Sequence, residues 1–315
     1  MNITYNNTIN PELDSRGKPT MSWMEEWPLE LRKAKFFEWC SVFDKREDDL
    51  LRDDYQIFSH RLHWHEHPYC EEMKSVTDLH TRIWYTMVFS FSNEHWLTFK
   101  TLKDEGLGAL AERFATERHA RSDLFQIYYP KGTNVREWLL EGPKKCADDM
   151  VHVLQERDKR WTMMELAKVF CEYYKEHQGF RAPMYPCKNF ARYMAMTWPQ
   201  DYDPDSVLFG GTGHFDGLHQ IFGGKNLMNK VKYEIDDDGQ FVATNKAGEM
   251  WLDQMYDLID DVRNPMVEQK FLNMEDKTCF FYKHIAINHG VKKPTKRIPY
   301  NWIFPENFSL RKEIT

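Results

Sequence analysis

The stretch Val207-Leu-Phe-Gly-Gly-Thr-Gly-His-Phe-Asp-Gly-Leu-His-Gln-Ile-Phe222 decides how this chain reads. Glycines at 210, 211, 213 and 217 punctuate it between apolar runs. Phe209-Gly-Gly-Thr-Gly213 has the form apolar-x-Gly-x-Gly. That form predicts the hairpin of a helix-hairpin-helix element near 205–222, where glycine permits positive φ and close backbone approach. N–H groups at the start of the next helix then offer a phosphate site. Gly210, Gly211, Thr212, Gly213 and His214 are the expected contacts, and Lys225 adds charge to the same surface. The next helix is expected from His214 to Phe222, ended by Gly223 and Gly224. An ordinary glycine-rich turn between two helices fits the pattern equally. No Gly-Lys-Ser/Thr follows, so it is not a phosphate-binding Walker loop, and no βαβ unit surrounds it.

Outward from this stretch the chain reads as helical. Pro28-Leu-Glu-Leu-Arg-Lys-Ala-Lys-Phe-Phe-Glu-Trp-Cys-Ser-Val-Phe43 repeats apolar residues at three and four, with proline suited to a first turn. Helices are also expected over 78–92, 107–119, 135–140, 147–156, 163–177, 188–198, 246–262 and 274–289. One segment, 232–244, breaks the habit and predicts a small β-hairpin turning on Asp238-Gly239. The reading is a mainly α protein in one or two helical lobes. Residues 1–20, with their Asn, Pro and Gly, read as a flexible tail, and 21–315 as a single helical domain.

A chain of 315 residues can bury a sizeable core. Aromatics reach 15%, enough to pack that core and to line a groove. Mean hydropathy is −0.70 and no apolar run approaches the length of a spanning helix, so no membrane partner is expected. The net charge of −7 is unlike a bulk polyanion binder. Nucleic acid would be met through a local patch and close-range donors. Six cysteines form no CxxC pair and suggest no disulfide framework, which makes a reducing, cytoplasmic compartment the default.

Two further clusters bear chemistry. Glu275, Cys279 and Lys283 recur at four-residue spacing and share one helix face, with Asn273 as a candidate cap. A carboxylate, a thiol and an amine on one face fit a catalytic stripe, or a buried cysteine flanked by charges. His63-Trp-His-Glu-His-Pro-Tyr-Cys70 has metal-ligand residue types, but no second knuckle is visible. It reads as structural or as a stacking surface, and no metal site is assigned.

With these segments in place, the chain resembles the α-glutamyl/putrescinyl-thymine pyrophosphorylase family. These phage enzymes of thymine hypermodification include amino acid:DNA transferases and the helical domain of 5-hydroxymethyluracil DNA kinases, and are related to helix-hairpin-helix DNA glycosylases. The resemblance spans residues 45–300 in dispersed blocks. In Leu272-Asn-Met-Glu-Asp-Lys-Thr-Cys-Phe-Phe-Tyr-Lys-His284, the residues Glu275, Cys279, Phe281 and Lys283 fall on the family pattern. Phe280 stands where the family has a second Glu, and His284 where it has Tyr. Gly210-Gly-Thr-Gly-His-Phe-Asp-Gly-Leu218 parallels an Ala-Gly-Pro-Gly segment, with Thr212 for Pro. Phe91-Ser-Asn-Glu-His-Trp96 and Asn189-Phe-Ala-Arg-Tyr193 are weaker blocks.

The resemblance implies a transferase. An amine from an amino acid or polyamine such as putrescine would displace pyrophosphate from 5-pyrophosphoryloxymethyluracil in double-stranded DNA, in the cytoplasm of an infected host. Such chemistry requires an extruded base and a proton acceptor for the amine. It also requires cations, donors or Mg²⁺ for the leaving group. Glu275 is the expected base or amine-orienting group. Lys283, with Arg192 as a second, is expected to meet the leaving group. Two alternatives remain: a DNA glycosylase of the same superfamily, whose acid would fall near Asp236, Asp237 and Asp238 although these read as a β-turn instead, or a non-catalytic DNA-binding protein.

Overall fold

The computed structural model describes residues 27–50, 68–91, 96–117, 134–155, 159–178, 184–266 and 269–288. Among them are ten helices and two sheets of two short strands, a mainly α fold. The tail at 1–20, the cluster 63–67 and the residues beyond 288 lie outside the described part. The helices gather into two compact units. The first comprises Met1–Leu50, Gly210–Glu234 and Val242–Thr315, and the second Leu51–Phe209 and Ile235–Phe241.

The second unit holds α2 (Pro68–Met73), α3 (Leu79–Phe91), α4 (Trp96–Glu117), α5 (Val135–Leu154), α6 (Met163–Gln178) and α7 (Met184–Thr197). Its core is aromatic: Tyr69 stacks on Phe89 at 4.3 Å, and Phe170 stacks on Phe190 at 4.9 Å. Helix α4 breaks at Gly106, whose φ of +87° only glycine adopts readily. The two helices expected over 135–140 and 147–156 are one helix, α5, which runs through Pro143. Proline removes one backbone bond. Yet Trp138, Leu139, Gly142, Pro143, Cys146, Ala147 and Met150 form one buried stripe, and its burial outweighs that loss.

Helix α6 starts on a reciprocal cap. Thr162 Oγ1 accepts the Glu165 N–H at 3.3 Å, and the Glu165 carboxylate accepts the Thr162 N–H at 3.0 Å. Thr162 lies in β1 (Trp161–Thr162), which pairs in parallel with β2 (Tyr202–Asp203). The expected β-hairpin is present as β3 (Tyr233–Ile235) and β4 (Phe241–Ala243). Gly239 takes φ +79° at its turn, and its carbonyl accepts the Thr162 hydroxyl at 2.6 Å.

The first unit holds α1 (Leu29–Leu50), α8 (Thr212–Phe222), α9 (Lys246–Ile259) and α10 (Lys270–Asn288). Asn245 caps α9 by accepting the Gly248 N–H at 2.9 Å. Helix α10 begins at Lys270, a turn before its expected start, so Asn273 is an interior, buried residue rather than a cap. Phe36, Trp39 and Phe281 interlock, with Phe36 edge-on to Phe281 at 5.2 Å. In this unit α8 packs tightly against α10. A side chain at Gly217 would run into the backbone carbonyl of Thr278, and one at Gly213 into the Cys279 sulfur.

These two glycines make separable predictions. Gly217→Ala meets rigid backbone and should cost about 3 kcal/mol or more in denaturant unfolding. Gly213→Ala meets a side chain, so Cys279→Ala in the same chain should recover much of its loss. Equal losses in the single and double variants would contradict this packing.

Candidate functional site

The expected helix-hairpin-helix geometry is corrected by the structure. Residues before Gly210 form turns and β2, not a helix. None of Gly210, Gly211 and Gly213 has positive φ; Gly211 is extended at φ −86°, ψ 179° and serves as the residue before α8. Gly210 and Gly213 are explained by close approach instead. A side chain at Gly210 would meet the His214 ring, and Gly213 admits Cys279.

The loop and the stripe nevertheless come together in the first unit. The Gly211 N–H donates to Glu275 Oε1 at 3.1 Å. Glu275 therefore places its carboxylate at the amino end of α8, where the helix dipole favours negative charge. One turn on, Cys279 lies against Gly213. A phosphate cannot use the Gly211 donor while a carboxylate occupies it, and two anions there would repel each other. The loop positions a carboxylate; the expected phosphate contact at Gly211 is replaced by this bond. Thr212 and Gly213 are half-buried.

His214 is also relocated. It is fully buried; Nε2 accepts the Trp251 indole N–H at 2.8 Å, and Nδ1 lies 2.6 Å from Thr278 Oγ1. Because Nε2 accepts, the ring proton sits on Nδ1 and is donated to Thr278, whose hydroxyl in turn reaches the Met274 and Glu275 carbonyls at 2.9 Å. His214 thus braces α8 on α10 and α9 from within and is not a surface contact for DNA. Lys225 is exposed but follows the far end of α8, about 16 Å along the helix from Gly211.

Lys283 is half-buried, its ammonium 4.0 Å above the Phe280 ring, a cation–π contact. Arg192 belongs to the second unit, on α7, and is only 2% exposed. The aspartates of the hairpin serve the turn. The Asp236 carboxylate accepts the N–H groups of Asp238 and Gln240, while Lys159 reaches the Asp237 carbonyl and the Asp238 carboxylate.

Several polar residues escaped the sequence reading. Asp276 and Lys277, beside Glu275, are 6% and 0% exposed. Three consecutive buried charged residues in one helix are rare, because burial disfavours the charged form unless it is paired. On α8, Asp216 is buried and accepts the Asn226 amide at 2.9 Å, and His219 and Gln220 are buried beside it. The missed signal was a charged run within an otherwise apolar helix. In the second unit both amide atoms of fully buried Asn189 lack a hydrogen-bond partner.

A cavity of about 340 Å³ in the second unit is lined by Arg82, Lys159, Arg160, Trp161, Asp201 and Tyr202 among others. Its cations are already neutralised. Arg82 binds Asp201 at 2.8 Å, Lys159 binds Asp238 at 3.2 Å, and Arg160 lies 3.7 Å from Asp203. Of the histidine-rich segment only its end is described. Cys70 is a core thiol pushed up to about 12 by burial, with the Thr197 hydroxyl donating to it at 3.4 Å. Among the described residues no group of three or more His, Cys, Asp or Glu converges on a metal position, and no helix is long and apolar enough to cross a membrane. No family model, curated protein or solved structure matches the chain.

His284 is buried and held well below the ordinary histidine value by desolvation. Its Nδ1 accepts the Trp39 indole N–H at 2.8 Å. A depressed histidine gives its full stabilisation above its unfolded value of 6.5, and that contribution is lost as pH falls below it. His284→Gln should therefore flatten the dependence of unfolding free energy on pH between 7 and 5. The change is at most one proton, about 1.4 kcal/mol per pH unit. Parallel wild-type and variant curves would contradict a buried neutral imidazole.

Proposed function

We propose that this protein is a transferase that joins an amine to the exocyclic methylene of a modified pyrimidine in DNA, displacing pyrophosphate. The observation that carries the reading is the Gly211–Glu275 hydrogen bond. Two segments singled out separately in the sequence, the glycine-rich loop and the Glu-Cys-Lys stripe, meet there in one unit.

Within this reading the loop's role changes from the one expected. The Gly211 amide holds Glu275 in one orientation, and the carboxylate serves the amine. A protonated amine is attracted to a carboxylate, and the same oxygen accepts the proton that must leave before nitrogen attacks. The C–N bond then forms as the C–O bond to pyrophosphate breaks. Its electron pair leaves with the pyrophosphate, where developing charge calls for a cation. Lys283 is the candidate of the same unit, and Mg²⁺ bound to the pyrophosphate would add positive charge there. The partners are DNA carrying the activated base and a small amine, an amino acid or a polyamine.

The test is nucleoside mass spectrometry of pyrophosphorylated hydroxymethyluracil DNA incubated with the protein, amino acids and polyamines. The expected products are an aminomethyl pyrimidine nucleoside and free pyrophosphate. Glu275→Gln should slow transfer at least about 100-fold, as loss of a general base does, and Lys283→Met should weaken it while the chain stays folded. Alkali-labile strands without the new nucleoside would point to base excision instead. Full activity in both variants would remove these residues from the mechanism.

A further inference from the structure

Two cysteines of the second unit stand apart from everything above. Cys171 lies on α6 and Cys187 on α7, and their sulfurs are 2.7 Å apart. An ordinary sulfur–sulfur contact in the same unit, Cys146 Sγ to Met150 Sδ, measures 3.8 Å. A disulfide bond is about 2.05 Å. The Cys171–Cys187 pair is therefore closer than thiols that merely touch. The two come from different helices that pack along each other, so the side chains face one another across a helix–helix seam.

The pair is also asymmetric in access. Cys171 is half-buried, whereas Cys187 is fully buried. We propose that Cys171 and Cys187 form a site of reversible covalent modification, a dithiol that a low-molecular-weight disulfide converts to an intramolecular cross-link between α6 and α7. The exposed member reacts first. The Cys171 thiolate attacks one sulfur of the small disulfide, forming a mixed disulfide and releasing one small thiolate. The Cys187 thiolate then attacks Cys171 Sγ, the mixed disulfide breaks, and the second small thiolate leaves. Two electrons pass from the protein to the small disulfide, and the two thiol protons end on the two released thiols. Burial of Cys187 keeps it from meeting the reagent directly, so it acts as the resolving thiol.

The consequence lies on α7. Cys187 immediately precedes Lys188, Asn189 and Arg192, all buried polar residues of that helix. A bond at Cys187 ties the start of that polar stretch to α6. Closing the chain between residues 171 and 187 also removes freedom from the unfolded state, which stabilises the second unit.

The test uses the full chain, treated in its native state with oxidised glutathione, then alkylated, digested and analysed by mass spectrometry. Two of the six thiols should be lost with a mass decrease of two hydrogens, and one linked peptide pair should contain Cys171 and Cys187. Dithiothreitol should restore both. Cys187→Ser should accumulate a glutathione adduct at Cys171, while in Cys171→Ser the thiol at Cys187 should stay unmodified. The melting temperature of the wild-type chain should rise by several degrees on oxidation and that of either variant should not. Six alkylatable thiols after treatment, a bond from Cys171 to another cysteine, or a lasting glutathione adduct on the wild-type chain would each overturn the proposal.

Discussion

The close crossing of α8 on α10 is the constraint on which the rest of the first unit depends. Gly213 and Gly217, one turn apart, remove the side chains that would hold the two helices apart. Only at that separation does the Gly211 amide reach Glu275, and only there does His214 lie within hydrogen-bond distance of Thr278. The bond and the packing support each other. The glycine spacing brings the helices together, and the Trp251–His214–Thr278 hydrogen-bond chain ties them to each other and to α9. Any side chain at Gly217 would push on backbone that has no alternative position, so the contact has little tolerance.

This arrangement also decides what the glycine-rich loop does. A run of glycines before a helix offers both a donor array for anions and a surface for close packing. Here the donor at Gly211 is engaged by a carboxylate of the same unit, and the Cα atoms at 213 and 217 face another helix. The loop is thus a device for placing Glu275. Placing a buried carboxylate at a helix amino end is electrostatically favourable. It also leaves an acidic group in a fixed orientation, which general-base chemistry needs.

The helical class was legible because apolar residues recur at three and four along most of the chain, and the hairpin because Asp238-Gly239 is a strong turn pair. The Glu275–Cys279 face was legible because four-residue spacing keeps side chains aligned. What the sequence concealed was tertiary. Pro143 looks like a helix stop, yet the buried stripe of α5 runs through it. The Gly-Gly-Thr-Gly run suggested positive φ, but Gly213 serves packing, a role that depends on Cys279, 66 residues away. His214 looks like a surface donor beside the loop, although Trp251 and Thr278 claim both of its nitrogens. Asp276 and Lys277 look like an ordinary solvated stretch, and only burial marks them as unusual. The nearness of Cys171 and Cys187 depends on how α6 and α7 pack, which no cysteine spacing encodes.

The most direct measurement is the amide proton resonance of Gly211, followed by nuclear magnetic resonance in the wild-type chain and in Glu275→Gln, each with and without pyrophosphate. If the loop holds the carboxylate, the resonance sits downfield in the wild type, moves upfield in the variant, and is unaffected by pyrophosphate in the wild type. A resonance indifferent to the Glu275 substitution but displaced by pyrophosphate would show that the loop receives an anion after all, and would contradict the account.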